Sequence, residues 1–354
     1  MASRCVVIGD DAAALAIARR LTLDGHQVVL WQTPHAAAEV PTRADEPRVT
    51  FGAAEDGEVV TLAGATTDAF EALAAGDVLV ARAPARGLAA VADQVLPLIE
   101  PRHVLVLLGG GLHALAAAKW LRDHGRGDLP TLVASDAAAP AEPLSRAGFG
   151  VFPARRTGAA MVALADLFPQ AKAHTNVLAA ALATVEPMLR AALLFMNLGA
   201  AQRPRGTFLP FEDGFTQGVA RVAEALDGER LDVAAAVGLE LPPAAEALHI
   251  RGLSPLGDLW SAVNGSLALT TSLAGGASQT ELLAADVAFC MRPWAGLADQ
   301  LAVPAPLTRS LMALCEVALG DGLRDAGWSV EDLGIGGMNG NTLQRFLASG
   351  DPAT

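Results

Sequence analysis

The hydrophobic pattern changes its period near residue 176, and that change constrains the fold more than any other feature of the chain. Before it, short β-type runs alternate with amphipathic helical ones. Residues 5–8 (CVVI) read as a strand, and residues 12–24 follow with helical spacing. Leu15, Ala18 and Leu21 lie on one face of that helix and Arg19 and Arg20 on the other. Strands are predicted at 27–31, 77–81, 103–108 and 131–134, with a weaker strand or hairpin at 58–62, and helices at 67–75 and 112–124. After residue 176 the strand signal disappears. Helical patterns cover 176–197, 218–238, 284–302 with a break at Pro293, 307–319 and 342–348. Strand-helix alternation implies right-handed crossovers and a parallel sheet. The expected fold class is therefore α/β, with an N-terminal Rossmann-like doubly wound parallel sheet in residues 1–172 and a C-terminal all-helical domain in residues 173–354.

Composition narrows the function. With 25 Lys+Arg against 38 Asp+Glu the net charge is −13, which repels phosphate backbones and argues against a nucleic-acid partner. Cys5, Cys290 and Cys315 are too widely spaced for a disulfide framework or a metal cluster, and a reducing cytoplasm is expected. His113, His124, His174 and His249 have no metal-ligand spacing, so no metal site is expected, and these histidines read as surface or capping residues. The N-terminus carries no signal-peptide pattern. The apolar stretch 177–198 is interrupted by Glu186, Pro187 and Arg190, which fits a core helix and argues against a membrane span. Tyrosine is absent, so no phenol serves as acid or base.

The run Val6–Ala14 stands where a dinucleotide fingerprint, G-x-G-x-x-G/A, belongs: after the first strand, opening the first helix. Gly9 supplies the tight turn, Ala12 lies in the turn, and Ala14 is small enough at the third position. Asp11 occupies the second, where a bare backbone normally approaches the pyrophosphate. Two unit charges ~4 Å apart at an effective dielectric near 20 repel by roughly 4 kcal/mol, about three decades of affinity if uncompensated. Asp11 can instead turn away and cap the helix. At the end of the second strand Gln32 stands where an acid usually binds the ribose. The lost acid removes repulsion against a 2′-phosphate, and Arg43 is near enough in sequence to help, so NADP and NAD are both expected cofactors. Gly109, after the fifth strand, falls at the carboxyl end of the sheet, where ligands bind.

Over nearly its whole length the chain resembles the octopine/nopaline (opine) dehydrogenase family. The resemblance is carried by Asp77-Val-Leu-Val-Ala-Arg-Ala-Pro84, Lys119–Gly125, residues 176–197, Glu212-Asp-Gly-Phe-Thr216, Asp286-Val287, residues 297–307 (LADQLAVPAPL) and Trp328–Gly334. It implies an enzyme that joins an amino acid's amine to a 2-oxo acid and reduces the imine with NAD(P). The cofactor would lie across the carboxyl ends of the sheet, with Pro84 among its contacts, and the substrate would lie against the helical domain.

The chain also departs from the family. Arg190 stands at the position of the family's catalytic histidine, in Met188-Leu-Arg-Ala191. Asp286 aligns with the aspartate that partners it. A guanidinium stays protonated at neutral pH, so Arg190 is expected to hold a substrate carboxylate or a developing charge and Asp286 to take part in proton handling. The bland alternatives are an Arg190–Glu186 helix pair and a first-turn helix acid at 286. Asn197 and Thr216 are substrate-binding candidates, as is His174, which is the histidine expected to substitute as an acid. The expected partner is a small amino-acid-like substrate, with a homodimer left open. The alternative functions are a non-redox cyclase- or lyase-like enzyme on the same fold, and a non-catalytic homologue.

Overall fold

A computed structural model describes residues 2–9, 11–32, 48–51, 58–82, 93–110, 112–137, 146–203, 208–270, 279–323 and 325–352 of the chain. It divides into two compact units, residues 1–140 with 147–177, and residues 178–354 with 141–146.

The first unit is built on an eight-stranded sheet ordered β10-β9-β8-β7-β6-β1-β2-β5. The strands are β1 Arg4–Ile8, β2 Gln27–Trp31, β5 Gly64–Thr66, β6 Val78–Arg82, β7 Val104–Leu108, β8 Thr131–Ser135, β9 Gly148–Phe152 and β10 Lys172–Ala173. Strands β3 (Arg48–Phe51) and β4 (Glu58–Thr61) form a separate antiparallel hairpin. The chain leaves β1 toward β2 on one side and returns to β6 on the other, which makes β1/β6 the topological switch point. β8 is buried along its entire length, as expected of strands covered on both faces. Helix Ala12–Leu23 presents Leu15, Ala18 and Leu21 to the core and leaves Arg20 exposed, as the spacing predicts.

Strands β5, β9 and β10 of this sheet escape the sequence reading, and β9 corrects it. β9 runs antiparallel to β8, so the sheet is mixed at that edge. Its sequence, GFGVF, has two glycines and no alternation, yet all five residues are buried. β10 is only two exposed residues long, too short to leave a periodic signal.

The second unit is helical. Its apolar stretch 177–196 is 94% buried, which makes it core. It is two helices, Val177–Ala183 and Glu186–Met196, where a single one is predicted, because Pro187 belongs to the first turn of the second. The predicted 284–302 helix is likewise three pieces: Gln279–Asp286, a wide π-turn at Val287–Met291, and Arg292–Gln300 with Pro293 in its first turn. In a π-turn the carbonyl of Ala288 would accept from residue 293, and proline has no N–H to give. Trp328 N–H donates to that carbonyl instead, at 3.1 Å, and its ring packs edge-on against Phe289. Glu229 does the same for helix Pro306–Leu319, accepting from Leu307 N–H and Thr308 N–H at 2.7 and 2.8 Å.

His113 is not at the surface. It is buried at the start of helix His113–Asp123, and burial pushes its pKa down to about 4 against a weaker pull from the Gly110 backbone. The folded chain therefore holds a neutral imidazole that the unfolded chain protonates below its ordinary value near 6.5. Stability is full above that value and is lost as pH falls toward 4, by up to roughly 3 kcal/mol. Denaturant midpoints measured from pH 7 to 4 should fall in the native chain and fall distinctly less in a His113→Gln variant.

Candidate functional site

The turn after β1 is closely packed. Gly9 has φ +126°, and a Cβ there would come within 3.0 Å of Ala14 Cβ, so both residues must be small. Asp11 is the N-cap of helix Ala12–Leu23, and its Oδ1 accepts from Ala14 N–H at 2.7 Å. Its Oδ2 accepts from Arg82 Nη1 at 2.9 Å, reaching across the switch point from the end of β6. Asp11 is thus an internal anion on two positive sources, the helix N-terminus and Arg82. The predicted repulsion is offset by a cation the sequence reading passed over: Arg82 lies inside the segment carrying the family resemblance, but only strand pairing places it beside Asp11.

Gln32 follows β2 and its N–H donates to Thr66 O at 2.9 Å. Gly109, at the end of β7, has φ +133°, and Gly110 has φ +72°. Gly9, Asp11, Ala12, Gln32 and Gly109 therefore all fall at carboxyl ends of parallel strands in one unit. Pro84 and Arg43 lie outside the described residues. Small residues where bulk would collide and a cation at the rim fit a diphosphate, provided it exchanges with the Asp11 carboxylate.

In the helical unit the structure brings Arg190 and Asp286 together across 96 residues of sequence. Arg190 Nε donates to Oδ2 at 2.8 Å and Nη2 to Oδ1 at 2.6 Å, a bidentate pair. Asp286 is 7% exposed and Arg190 22%. Burial would lower the Arg190 pKa, but the charge and hydrogen bonds of Asp286 outweigh it and hold the guanidinium above its ordinary value. Burial pushes the Asp286 carboxyl above its ordinary value against the opposing pull of Arg190, and Arg190 Nη1 has no hydrogen-bond partner among the described residues. Glu186 pairs with buried Arg251 and reaches Arg190 through its charge, and Asp286 closes its helix rather than opening one.

Asn197 and Thr216 have structural partners. Asn197 caps helix Glu186–Met196 and donates through Nδ2 to Leu193 O and Gly214 O at 2.9 and 3.2 Å. Thr216 caps helix Gln217–Ala236 through Val219 N–H. His174 lies in the first unit, where its Nε2 is 2.8 Å from Asp136 Oδ2. Asp136 is absent from the sequence reading, because nothing in its local sequence marks it. Among the described residues no group of three or more His, Cys, Asp or Glu could hold a metal ion.

Fold and glycine turn together define a Rossmann-type α/β protein with a helical second unit. Residues 173–319 match the family model "NAD/NADP octopine/nopaline dehydrogenase, alpha-helical domain". The chain is 27% identical over 357 residues to Opine dehydrogenase from Arthrobacter sp. (strain 1C), covering 94% of this chain and 95% of that one. Octopine dehydrogenase solved with NADH and agmatine superposes with TM-score 0.66 at 15% identity, covering 90% of each chain. NADP+-bound yersinopine dehydrogenase does so with TM-score 0.66 at 15% identity, covering 98% of each. The helical domain matches the octopine/nopaline dehydrogenase family model, and the chain as a whole is similar to an opine dehydrogenase.

Removing one partner of a buried pair leaves an uncompensated charge. Asp286→Ala should lower unfolding stability by roughly 3–5 kcal/mol, whereas the double variant Arg190→Met, Asp286→Leu should lose markedly less. A double-mutant cycle by denaturant unfolding measures the coupling.

Proposed function

We propose that this protein is an NAD(P)-dependent oxidoreductase of the opine dehydrogenase type, acting on CH–NH bonds in the cytoplasm. It joins the amine of an amino acid to a 2-oxo acid and reduces the resulting imine. The observation that carries this reading is that likeness to a named opine dehydrogenase extends through both units, 94% of the chain, and is not confined to the matched helical domain.

Each candidate residue then has a task. Gly9 and Ala12 offer backbone to the diphosphate, with Arg82 exchanging Asp11 for phosphate oxygens. Gly109 contacts the cofactor from the end of β7, and the family resemblance adds Pro84. Gln32 is a neutral hydrogen-bonding group at the adenosine ribose, which supports either NAD or NADP. When bound, the nicotinamide supplies hydride to the imine carbon. Arg190, oriented by Asp286, holds a substrate carboxylate through Nη1, which an always-protonated planar cation does well. Thr216 and Asn197 shape the substrate region from their capping positions. Burial pushes the Cys5 and Cys315 thiols up to about 12 and Cys290 higher still, so no thiolate competes as nucleophile or base.

Incubation with 2-oxo acids, a panel of amino acids and NADH or NADPH should give cofactor oxidation matched mole for mole by a secondary amine in the mass spectrum. Turnover of such substrates that ignores the cofactor would overturn the reading in favour of a non-redox enzyme. Arg82→Ala should weaken cofactor binding at least tenfold, about 1.4 kcal/mol, and Asp11→Asn should tighten it, both read by calorimetry.

A further inference from the structure

Asp286, the residue expected to handle the proton, has both carboxylate oxygens committed to Arg190. Arg190 cannot give up its proton, tyrosine is absent, the thiols are buried and pushed up, and His113 is enclosed and held neutral. We propose that His174 and Asp136 form the acid–base dyad that moves the proton when the amine condenses with the 2-oxo acid. The proposal rests on the reading under Proposed function.

The geometry is that of an oriented base. Asp136, the first residue beyond β8, is 7% exposed, and both its carboxylate oxygens are engaged. Oδ1 accepts from Gly148 N–H at 2.7 Å, and Oδ2 lies 2.8 Å from His174 Nε2. The Asp136 N–H donates to Gly148 O, and the His174 N–H to Phe149 O, so both backbones are clamped to β9. A Cβ at Gly148 would collide with the imidazole and the carboxylate, so that glycine makes room for the pair. His174 itself is 22% exposed, and its Nδ1 carries no hydrogen bond among the described residues. A buried carboxylate holding one imidazole nitrogen fixes the tautomer with hydrogen on Nε2 and leaves the Nδ1 lone pair to work.

The position suits the chemistry. β2, where the adenosine ribose is bound in such folds, lies on one side of the β1/β6 switch point. β8 lies on the other, the nicotinamide side, and Asp136 and His174 stand at the carboxyl end of β8. His174 takes a proton from the substrate ammonium through Nδ1. The freed amine nitrogen forms its bond to the carbonyl carbon of the 2-oxo acid as the carbonyl π pair moves to oxygen, and a proton of that nitrogen passes to the oxygen to give the neutral carbinolamine. The protonated imidazole then returns the same proton to the carbinolamine hydroxyl. The C–O bond breaks, water leaves, and an iminium remains for reduction. His174 ends as it began, and no oxidant or reductant enters these steps.

The test uses the full chain in three forms: native, His174→Ala and Asp136→Asn. With pyruvate, an amino-acid panel and NAD(P)H, His174→Ala should lose about 10²–10⁴-fold in kcat while its cofactor Kd stays within twofold, and added imidazole should restore part of the rate. Asp136→Asn should lose rate with the same Kd. Without cofactor, the His174 ring resonance of histidine-labelled native protein should shift on addition of pyruvate and amino acid. Native-like kcat in His174→Ala, or a loss that imidazole does not restore and that weakens cofactor binding equally, would overturn the dyad. A native protein that oxidises no cofactor with any pair would sink the parent reading instead, and a ring resonance unmoved by both substrates would then count against the dyad on its own.

Discussion

An acid placed where a bare backbone is expected governs the account of this protein. Asp11 would repel a diphosphate, but it is already spoken for: one oxygen caps the first helix and the other takes Arg82 from the neighbouring strand. A helix N-terminus and a guanidinium that hold a carboxylate can hold a phosphate by the same physics. The turn therefore already holds one anion, its own Asp11. The departure from the fingerprint leaves the packing of the turn intact, since a Cβ at Gly9 would still crowd Ala14.

The helical unit answers a different constraint. Its core helix Glu186–Met196 is buried over most of its surface yet carries Glu186 and Arg190. Each charge finds an opposite one from a distant segment, Arg251 and Asp286. Nearby, Arg230 is held by Asp227 and by carbonyls of Leu182 and Pro242. Buried pairs of this kind add little net stability but are costly to break, so they fix which helices pack together. That is how Arg190 comes to be held rigidly, with one face of its guanidinium committed and Nη1 left over.

The strand-helix alternation and its end near residue 176 were legible because parallel strands buried on both faces read as continuous apolar runs. β9 was not, since GFGVF gains its strand character from pairing with β8 and not from its own pattern. The helix break at Thr184–Val185 was hidden for a similar reason, since a proline in a first turn looks, in sequence, like a kink in a longer helix. The break at Pro293 was legible, but not the π-turn at Val287–Met291 before it. Within the site, Gly9, Asp11 and Gln32 could be placed by spacing from the first strand. Arg82 and Asp136 could not, because their roles come from neighbours 71 and 38 residues away. The Arg190–Asp286 contact was foreshadowed by the family pattern alone, and the local i,i−4 rule pointed to the wrong partner.

Together these features describe a chain that keeps the two-unit dehydrogenase plan while redistributing its charges: an acid inside the phosphate turn, an arginine where a histidine is usual, and a histidine–aspartate pair at the edge of the sheet. The central claim is that the turn after β1 still binds a nicotinamide dinucleotide. Isothermal titration of the native protein with NADH and with NADPH tests it most directly. Saturable one-to-one binding of at least one of them, competed by inorganic pyrophosphate, is the expected result; absence of binding to either at millimolar concentration would contradict it.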